Sequence, residues 1–263
     1  MSIKLCGLWL MCLFCSANFS TAATAQTHSG TIHPTAKSVY SEVLMWHDVV
    51  PGPKDVWFDV TADEFEKQMA QIKKNKLSVI TLEKLLEHLT KGTPLPPRPV
   101  VLTFDDTTEG LYQYAYPVLK RYGFPATYFI HTDYVGVRTV KDHCTWEQLA
   151  EMQASGLISI QSHTRTHPAD LRKLADKSLT KELVESKLII EKRMKKPVFA
   201  FAYTEGNHDA RVRKAVQAAG YSIAIDENWG SAGSSRDMFQ VHRYSIHKRW
   251  EQAIRDLVRA YKK

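Results

Sequence analysis

The sequence has almost no cysteine to build with. It holds four among 263 residues, and Cys6, Cys12 and Cys15 all fall at the extreme N-terminus. Beyond them only Cys144 remains, and one cysteine cannot close an internal disulfide, so the fold must rest on core burial. A long apolar run is also missing. The stretch 5–14 is too short to span a bilayer, and no later segment approaches the ~20 apolar residues that a spanning helix needs. Nor are basic residues clustered with aromatics. The 35 Lys and Arg against 28 Asp and Glu, a net charge of +7, are spread along the chain and describe a solvated basic surface. That excludes a nucleic-acid module and leaves anionic or neutral glycans as compatible partners. Nothing signals a stable protein partner.

What is present begins with an export pattern. Lys4, the apolar stretch, small polar residues and Ala23-Thr24-Ala25 lay out a secretory signal peptide over 1–25, cleaved before Gln26. The expectation is an exported chain, periplasmic or secreted, with no membrane span once processed. Residues 26–40, rich in Thr, Ser and His, read as a flexible leader, and 41–263 as one domain. Strands are predicted over 43–46, 78–81, 100–104, 126–130, 157–161, 198–202, 222–225 and 239–244. Helices are predicted over 62–75, 82–89, 109–122, 146–154, 179–194, 209–219 and 250–261, with Thr61 and Ser178 as N-caps. Such regular alternation implies a parallel sheet, and seven or eight units favour a closed barrel over an open sheet. His47, Asp105, Asp106, His131, His163, His167, Glu205, Asp226 and His247 each follow a predicted strand. In a (β/α) barrel that is the C-terminal rim, where active sites are built.

Two groups on that rim carry chemistry. The apolar run 99–104 ends in Asp105-Asp106, and the run 157–161 leads into His163 and His167. Adjacent residues leaving a strand point in different directions, so one carboxylate can ligate an ion while the other stays free as a base. Histidines four apart on a helical turn face one side and can share an ion. Two imidazoles, one carboxylate and an open position suit Zn²⁺, with Co²⁺, Ni²⁺ or Fe²⁺ as competitors.

Thr-Phe-Asp-Asp (103–106) and His-Thr-Arg-Thr-His (163–167) resemble the first two signature motifs of the polysaccharide deacetylases, the NodB-homology domains of carbohydrate esterase family 4. The resemblance runs from about Val43 to the C-terminus and is nearest to the subgroup acting on poly-β-1,6-N-acetylglucosamine. It implies a distorted (β/α) barrel and metal-dependent hydrolysis of acetamide groups on a GlcNAc-containing polysaccharide. Carried over by motif position, Asp106, His163 and His167 hold the ion and Asp105 is the general base. A backbone N–H of the third motif helps to hold the oxyanion, and a histidine on a late strand protonates the leaving amine. Both His242 and His247 follow that strand, and His247 lies nearer its expected end. The resemblance makes Tyr203, Glu205 and Trp229 substrate-facing, and His47 and His131 pocket-lining or structural.

The chain also departs from the pattern. It reads Phe201-Ala-Tyr-Thr-Glu-Gly206, where the subgroup has Pro and Tyr at the positions of Thr204 and Glu205. Loss of the proline predicts a looser loop, and a carboxylate at 205 opposes an anionic transition state. An alternative reading is therefore a secreted glycan-binding protein that keeps the fold and metal site with little or no turnover. A barrel glycosidase would use two opposed carboxylates instead of a histidine pair.

Overall fold

The computed structural model describes residues 41–235, 237–247 and 249–261. The expected signal peptide and leader lie outside the described residues. Eight parallel strands form the main sheet: β1 (Glu42–Trp46), β4 (Ser78–Val79), β5 (Pro99–Phe104), β6 (Ala126–Ile130), β7 (Ile158–Ser162), β8 (Ala200–Ala202), β9 (Ile223–Ile225) and β10 (Tyr244–Ser245). Their order is β10-β1-β5-β6-β7-β8-β9, with β4 paired to the start of β5. Around them lie α1 (Ala62–Lys74), α2 (Leu82–Lys91), α3 (Tyr116–Tyr122), α4 (Trp146–Ala154), α5 (Asp176–Met194), α6 (Ala210–Ala218) and α7 (Trp250–Ala260). Among the described residues no helix is long and apolar enough to cross a membrane.

The strands read as near-continuous apolar runs because a parallel sheet covered by helices is buried on both faces. Val43 to Trp46 and Val100 to Leu102 are wholly inaccessible. At the centre Trp46 stacks on Phe104 with ring centroids 5.3 Å apart, and Phe104 meets Tyr128 edge-on at 5.0 Å. The Trp46 indole N–H donates to the Gln68 side chain at 2.8 Å, so its one polar atom is satisfied on burial.

The barrel is distorted where it closes. The predicted strand 239–244 is realised as an irregular ribbon. Val241 exchanges backbone hydrogen bonds with Ala224 and Asp226 at 3.0 Å each, whereas Tyr244 and Ser245 pair with β1. One short segment thus touches both edges of the sheet, and closure comes at the cost of a long tenth strand. Three other expectations need correction. A separate parallel pair, β2 (Asp48–Val50) with β3 (Asp59–Thr61), escaped the pattern reading because each strand has only three residues. The predicted helix 109–122 opens with a π-turn over Leu111–Ala115 before α3 begins. The helix expected from 179 starts at Asp176, so Ser178 lies inside it and Ala175 occupies the cap position. Thr61 does cap α1, in a reciprocal pair with Glu64.

At the opposite end from the rim, Glu42 is buried beside Ser231, and Asp256 adds a second negative charge. Burial raises its carboxyl pKa from 4.5 to about 8. An acid with a raised folded pKa binds its proton more tightly when folded. Its neutral form therefore supports the fold at low pH, and that support is lost as pH climbs from about 4.5 through 8. Thermal denaturation should show stability falling over this window, and Glu42→Gln should flatten the fall. An unchanged slope in the variant would remove Glu42 as its cause.

Candidate active site

Strand register sets the rim. Trp46 pairs with Phe104, Phe104 with Tyr128, Ile130 with Ser162, and Ser162 with Phe201. Because every strand runs the same way, the residues that follow those pairs emerge at one end of the barrel. His47, Asp105, Asp106, His131 and His163 arrive there together, as the sequence predicts.

Asp106, His163 and His167 converge. Their ligand atoms all lie within 4.8 Å of one another. Asp106 Oδ1 is 3.6 Å from His163 Nε2 and 3.5 Å from His167 Nε2. This oxygen is buried and has no hydrogen-bond partner, which is unfavourable unless something else satisfies it. The His163 Nδ1 sits 2.9 Å from the Ala202 carbonyl. That contact makes Nδ1 the donor and turns the Nε2 lone pair toward the cluster, the usual support for a metal-ligating histidine. Burial depresses the His163 pKa to about 4, and the neighbouring histidines depress that of Asp106 to about 2 against its own burial. A neutral His163 imidazole beside an ionised Asp106 carboxylate is the pairing of protonation states that a divalent ion requires. The donor set fits such an ion.

The way the two histidines meet differs from the expected helical turn. Residues 163–170 are a loop, with Thr164 and His167 both at positive φ (71° and 52°). Glu182 of α5 holds this loop. One carboxylate oxygen accepts from the backbone N–H groups of Arg165 and Thr166 at 2.8 and 2.9 Å, and the other accepts from the Thr166 hydroxyl at 2.8 Å. Thr204 holds it from the far side, donating its hydroxyl to the Pro168 carbonyl at 2.6 Å. Where the proline is missing, a side-chain tether thus joins the third-motif loop to the residue after His167. Among the described residues, five of the eight non-glycine residues at positive φ (Asp106, Thr107, Thr164, His167 and Glu205) belong to this rim, the placement expected where surrounding structure holds the backbone in uncommon conformations.

Asp105 points away from Asp106 and is fully buried. Arg243 clasps both of its oxygens, Nη1 at 2.8 Å from Oδ1 and Nη2 on Oδ2. The guanidinium also donates to the Asp226 carbonyl at 2.9 Å and is itself inaccessible. Burial alone would raise the Asp105 pKa, but Arg243, with His163 and His47, holds it below the usual carboxylate value. Ligand atoms of Asp105, His47 and Glu227 lie within 4.8 Å of one another. Since Asp105 is already occupied by the guanidinium, we read this second group as proton-handling. Burial raises the Glu227 pKa. Glu227 also lies against the third-motif loop, for a Cβ placed on Gly206 would come within 2.8 Å of its Cβ.

The remaining residues fall as follows. His247 lies behind His47, ring centroids 5.3 Å apart, with Nε2 2.6 Å from the Ser245 hydroxyl. His242 is turned to Asp226, its Nδ1 3.1 Å from Oδ1, and His208 meets the same carboxylate at 3.2 Å. The histidine beside the Asp105 carboxylate is thus His47, which sequence reasoning set aside, and the preferred His247 stands next to it. Tyr203 is wholly buried, its hydroxyl donating to the Phe239 carbonyl at 2.9 Å and its backbone N–H to Ile225 at 3.1 Å. It faces no substrate, and its assignment is corrected to the core. Glu205 is exposed at φ 52°. Trp229 is half-buried, edge-on to Tyr244 at 4.8 Å with Arg249 over its ring, so its packing is occupied within the chain. His131 Nε2 is 3.8 Å from Asp106 Oδ1 and its ring is buried, with a pKa lowered to about 3 by that burial. Arg243 and Glu227 were missed. The signal for Arg243 was a lone arginine near the end of the predicted late strand 239–244.

Residues 92–224 match the sequence profile described as polysaccharide deacetylase. The chain belongs to the polysaccharide deacetylase family. YxkH of Bacillus subtilis (strain 168) is 31% identical over 212 residues, covering 81% of this chain and 73% of that protein. The poly-β-1,6-N-acetyl-D-glucosamine N-deacetylase of Staphylococcus aureus is 30% identical over 181 residues. That match covers 65% of this chain and 62% of the staphylococcal protein, so less than two thirds of that relative is matched here. Among solved structures, the Streptococcus pyogenes deacetylase PplD in complex with acetate superposes with a TM-score of 0.72 at 26% identity, over 78% of this chain and 92% of that one. Membership identifies a hydrolytic enzyme of the N-deacetylase class, which sets the glycosidase reading aside.

The Arg243–Asp105 pair gives a test of the site's architecture. Arg243→Met strands a buried carboxylate and should lower stability in urea denaturation by ~3–5 kcal/mol. Adding Asp105→Asn should recover part of that loss. A single variant as stable as wild type would show that the pair does not hold the rim.

Proposed function

We propose that this chain is an exported, metal-dependent deacetylase that removes N-acetyl groups from a GlcNAc-containing polysaccharide, with Zn²⁺ as the ion. The observation that carries the reading is the Asp106–His163–His167 cluster, with its unsatisfied Asp106 oxygen, beside a separate carboxylate kept ionised. The name of the staphylococcal relative supports poly-β-1,6-GlcNAc as the polymer, and the N-terminal pattern supports export.

A bound divalent ion supplies a Lewis acid for the acetamide carbonyl. The chain's own residues supply the rest. Asp105, held ionised by Arg243, accepts the proton of the attacking water. The amide of Glu205, in the third-motif loop that Thr204 tethers, donates to the developing oxyanion. His47, close to the Asp105 carboxylate, delivers a proton to the leaving nitrogen, with half-buried Glu227 as its carboxylate neighbour. None of these roles needs the proline or tyrosine absent at 204 and 205, which favours an enzyme over the glycan-binding alternative.

Three measurements test this. Purified protein should carry about one zinc per chain, and His163→Ala should lose it, because one of three protein ligands is gone; metal retained at the wild-type level would refute the ligand set. Asp105→Asn should keep its zinc while acetate release from a β-1,6-GlcNAc oligomer falls ~10²–10⁴-fold. Loss of zinc in Asp105→Asn, with retention in Asp106→Asn, would reverse the two roles. His47→Gln should lose turnover by a comparable factor, and His247→Gln by much less. The opposite ranking would return the acid role to His247.

A further inference from the structure

A cavity of about 400 Å³ opens directly beside the metal-ligand cluster. Asp106, His131 and His167 line it together with Phe58, Tyr134 and Val140. Two loops supply the last three, one between β2 and β3 and one between β6 and α4. Their tips carry apolar side chains into solvent: Trp57 is 61% exposed, Val137 42% and Val140 98%. Single exposed apolar residues need no explanation, but three on two loops flanking one cavity do.

These loops are fixed in place. Lys141 Nζ reaches Asp48 at 2.7 Å and Asp59 at 2.6 Å, and both carboxylates are buried. Asp59 in turn accepts from the backbone N–H groups of Asp55 and Val56, at 2.9 and 3.1 Å, just before Trp57. Asp48 accepts from the Thr108 hydroxyl, two residues past the ligand Asp106. A half-buried cation with two buried carboxylate partners therefore joins both apolar lips to the strand end that carries Asp106. Trp57 lies edge-on to Phe58 at 5.5 Å and to His247 at 4.8 Å, and Phe58 packs on His47 at 5.0 Å. The aromatic surface is thus continuous from the proton-handling histidine out to solvent.

Resting on the deacetylase reading, we infer that Trp57, Phe58 and Val140 form a subsite for the sugar ring next to the one being deacetylated, with Lys141 as the residue that positions both lips. The occupant is a ring of a neutral, N-acetylated hexosamine polymer. Such a ring presents an apolar C–H face that an exposed indole can cover, and the cavity's lining by Asp106 and His167 places that ring one residue from the reacting group. A consequence is length dependence, since a single sugar cannot fill the cavity and reach the lip together.

The test compares zinc-loaded full-length variants on a β-1,6-linked GlcNAc pentamer and on N-acetylglucosamine. Trp57→Ala should raise KM for the pentamer about tenfold, with kcat changed less than twofold, while Trp57→Phe recovers most of the loss. Val140→Asp, on the other loop and 98% exposed, should raise the same KM. Calorimetric binding of the pentamer to Asp105→Asn, with and without Trp57→Ala, reads the subsite apart from turnover. Unchanged KM and unchanged binding in Trp57→Ala would overturn the subsite. So would equal losses on monosaccharide and pentamer, or Trp57-dependent binding to lipid vesicles without any pentamer effect. If wild-type enzyme releases no acetate from any glycan, the deacetylase reading fails, and the binding measurement alone decides the subsite.

Discussion

The buried pair of Arg243 and Asp105 is the constraint on which the rest of the rim depends. Each charge would be untenable alone in a dry site, and each is there because the other is. The guanidinium ties the end of β5 to the end of β9 through the Asp226 carbonyl, and it does so from the irregular segment that closes the barrel. One side chain therefore completes the sheet and fixes the ionisation of the adjacent carboxylate. Asp105 can then differ from its neighbour Asp106 in both direction and charge environment. The first lies against a cation, and the second lies among imidazoles.

The scaffold spends backbone regularity at this end of the molecule. Positive φ at Asp106, Thr107, Thr164, His167 and Glu205 is accompanied by nearby tethers: Glu182 on α5, the Thr204 hydroxyl on Pro168, and the Asp48 carboxylate between Lys141 and Thr108. These partners do no chemistry. They restrict how far the loops bearing Asp106, His163 and His167 can move, and an ion held by three such donors would depend on that restriction.

Much of this was legible in the sequence. The apolar runs ending at Phe104, Ile130 and Gln161 located strands because burial on both faces leaves a one-dimensional signature. The residues just past those runs were then rim residues by direction alone. Legibility failed where three-dimensional closure overrode local pattern. The 239–244 run reads as a strand, yet it must serve both edges of the barrel and becomes irregular. The His163/His167 spacing reads as a helical turn, yet Glu182, distant in sequence, holds it as a loop. His47 was set aside because the first strand gives no sign that its end lies beside Asp105. Only the β1–β5 register, with Trp46 opposite Phe104, brings the two together.

The exposed carboxylate of Glu205 carries a consequence for what leaves the site. An acetamide is neutral, but the amine that replaces it is protonated in neutral water. A carboxylate on the rim thus meets an uncharged group on the way in and a cation on the way out. Its attraction acts on the product alone, and at the surface it weakens as salt is added. The side chain that departs from the family pattern makes the enzyme's grip on its substrate and on its product unequal, and ties that inequality to ionic strength.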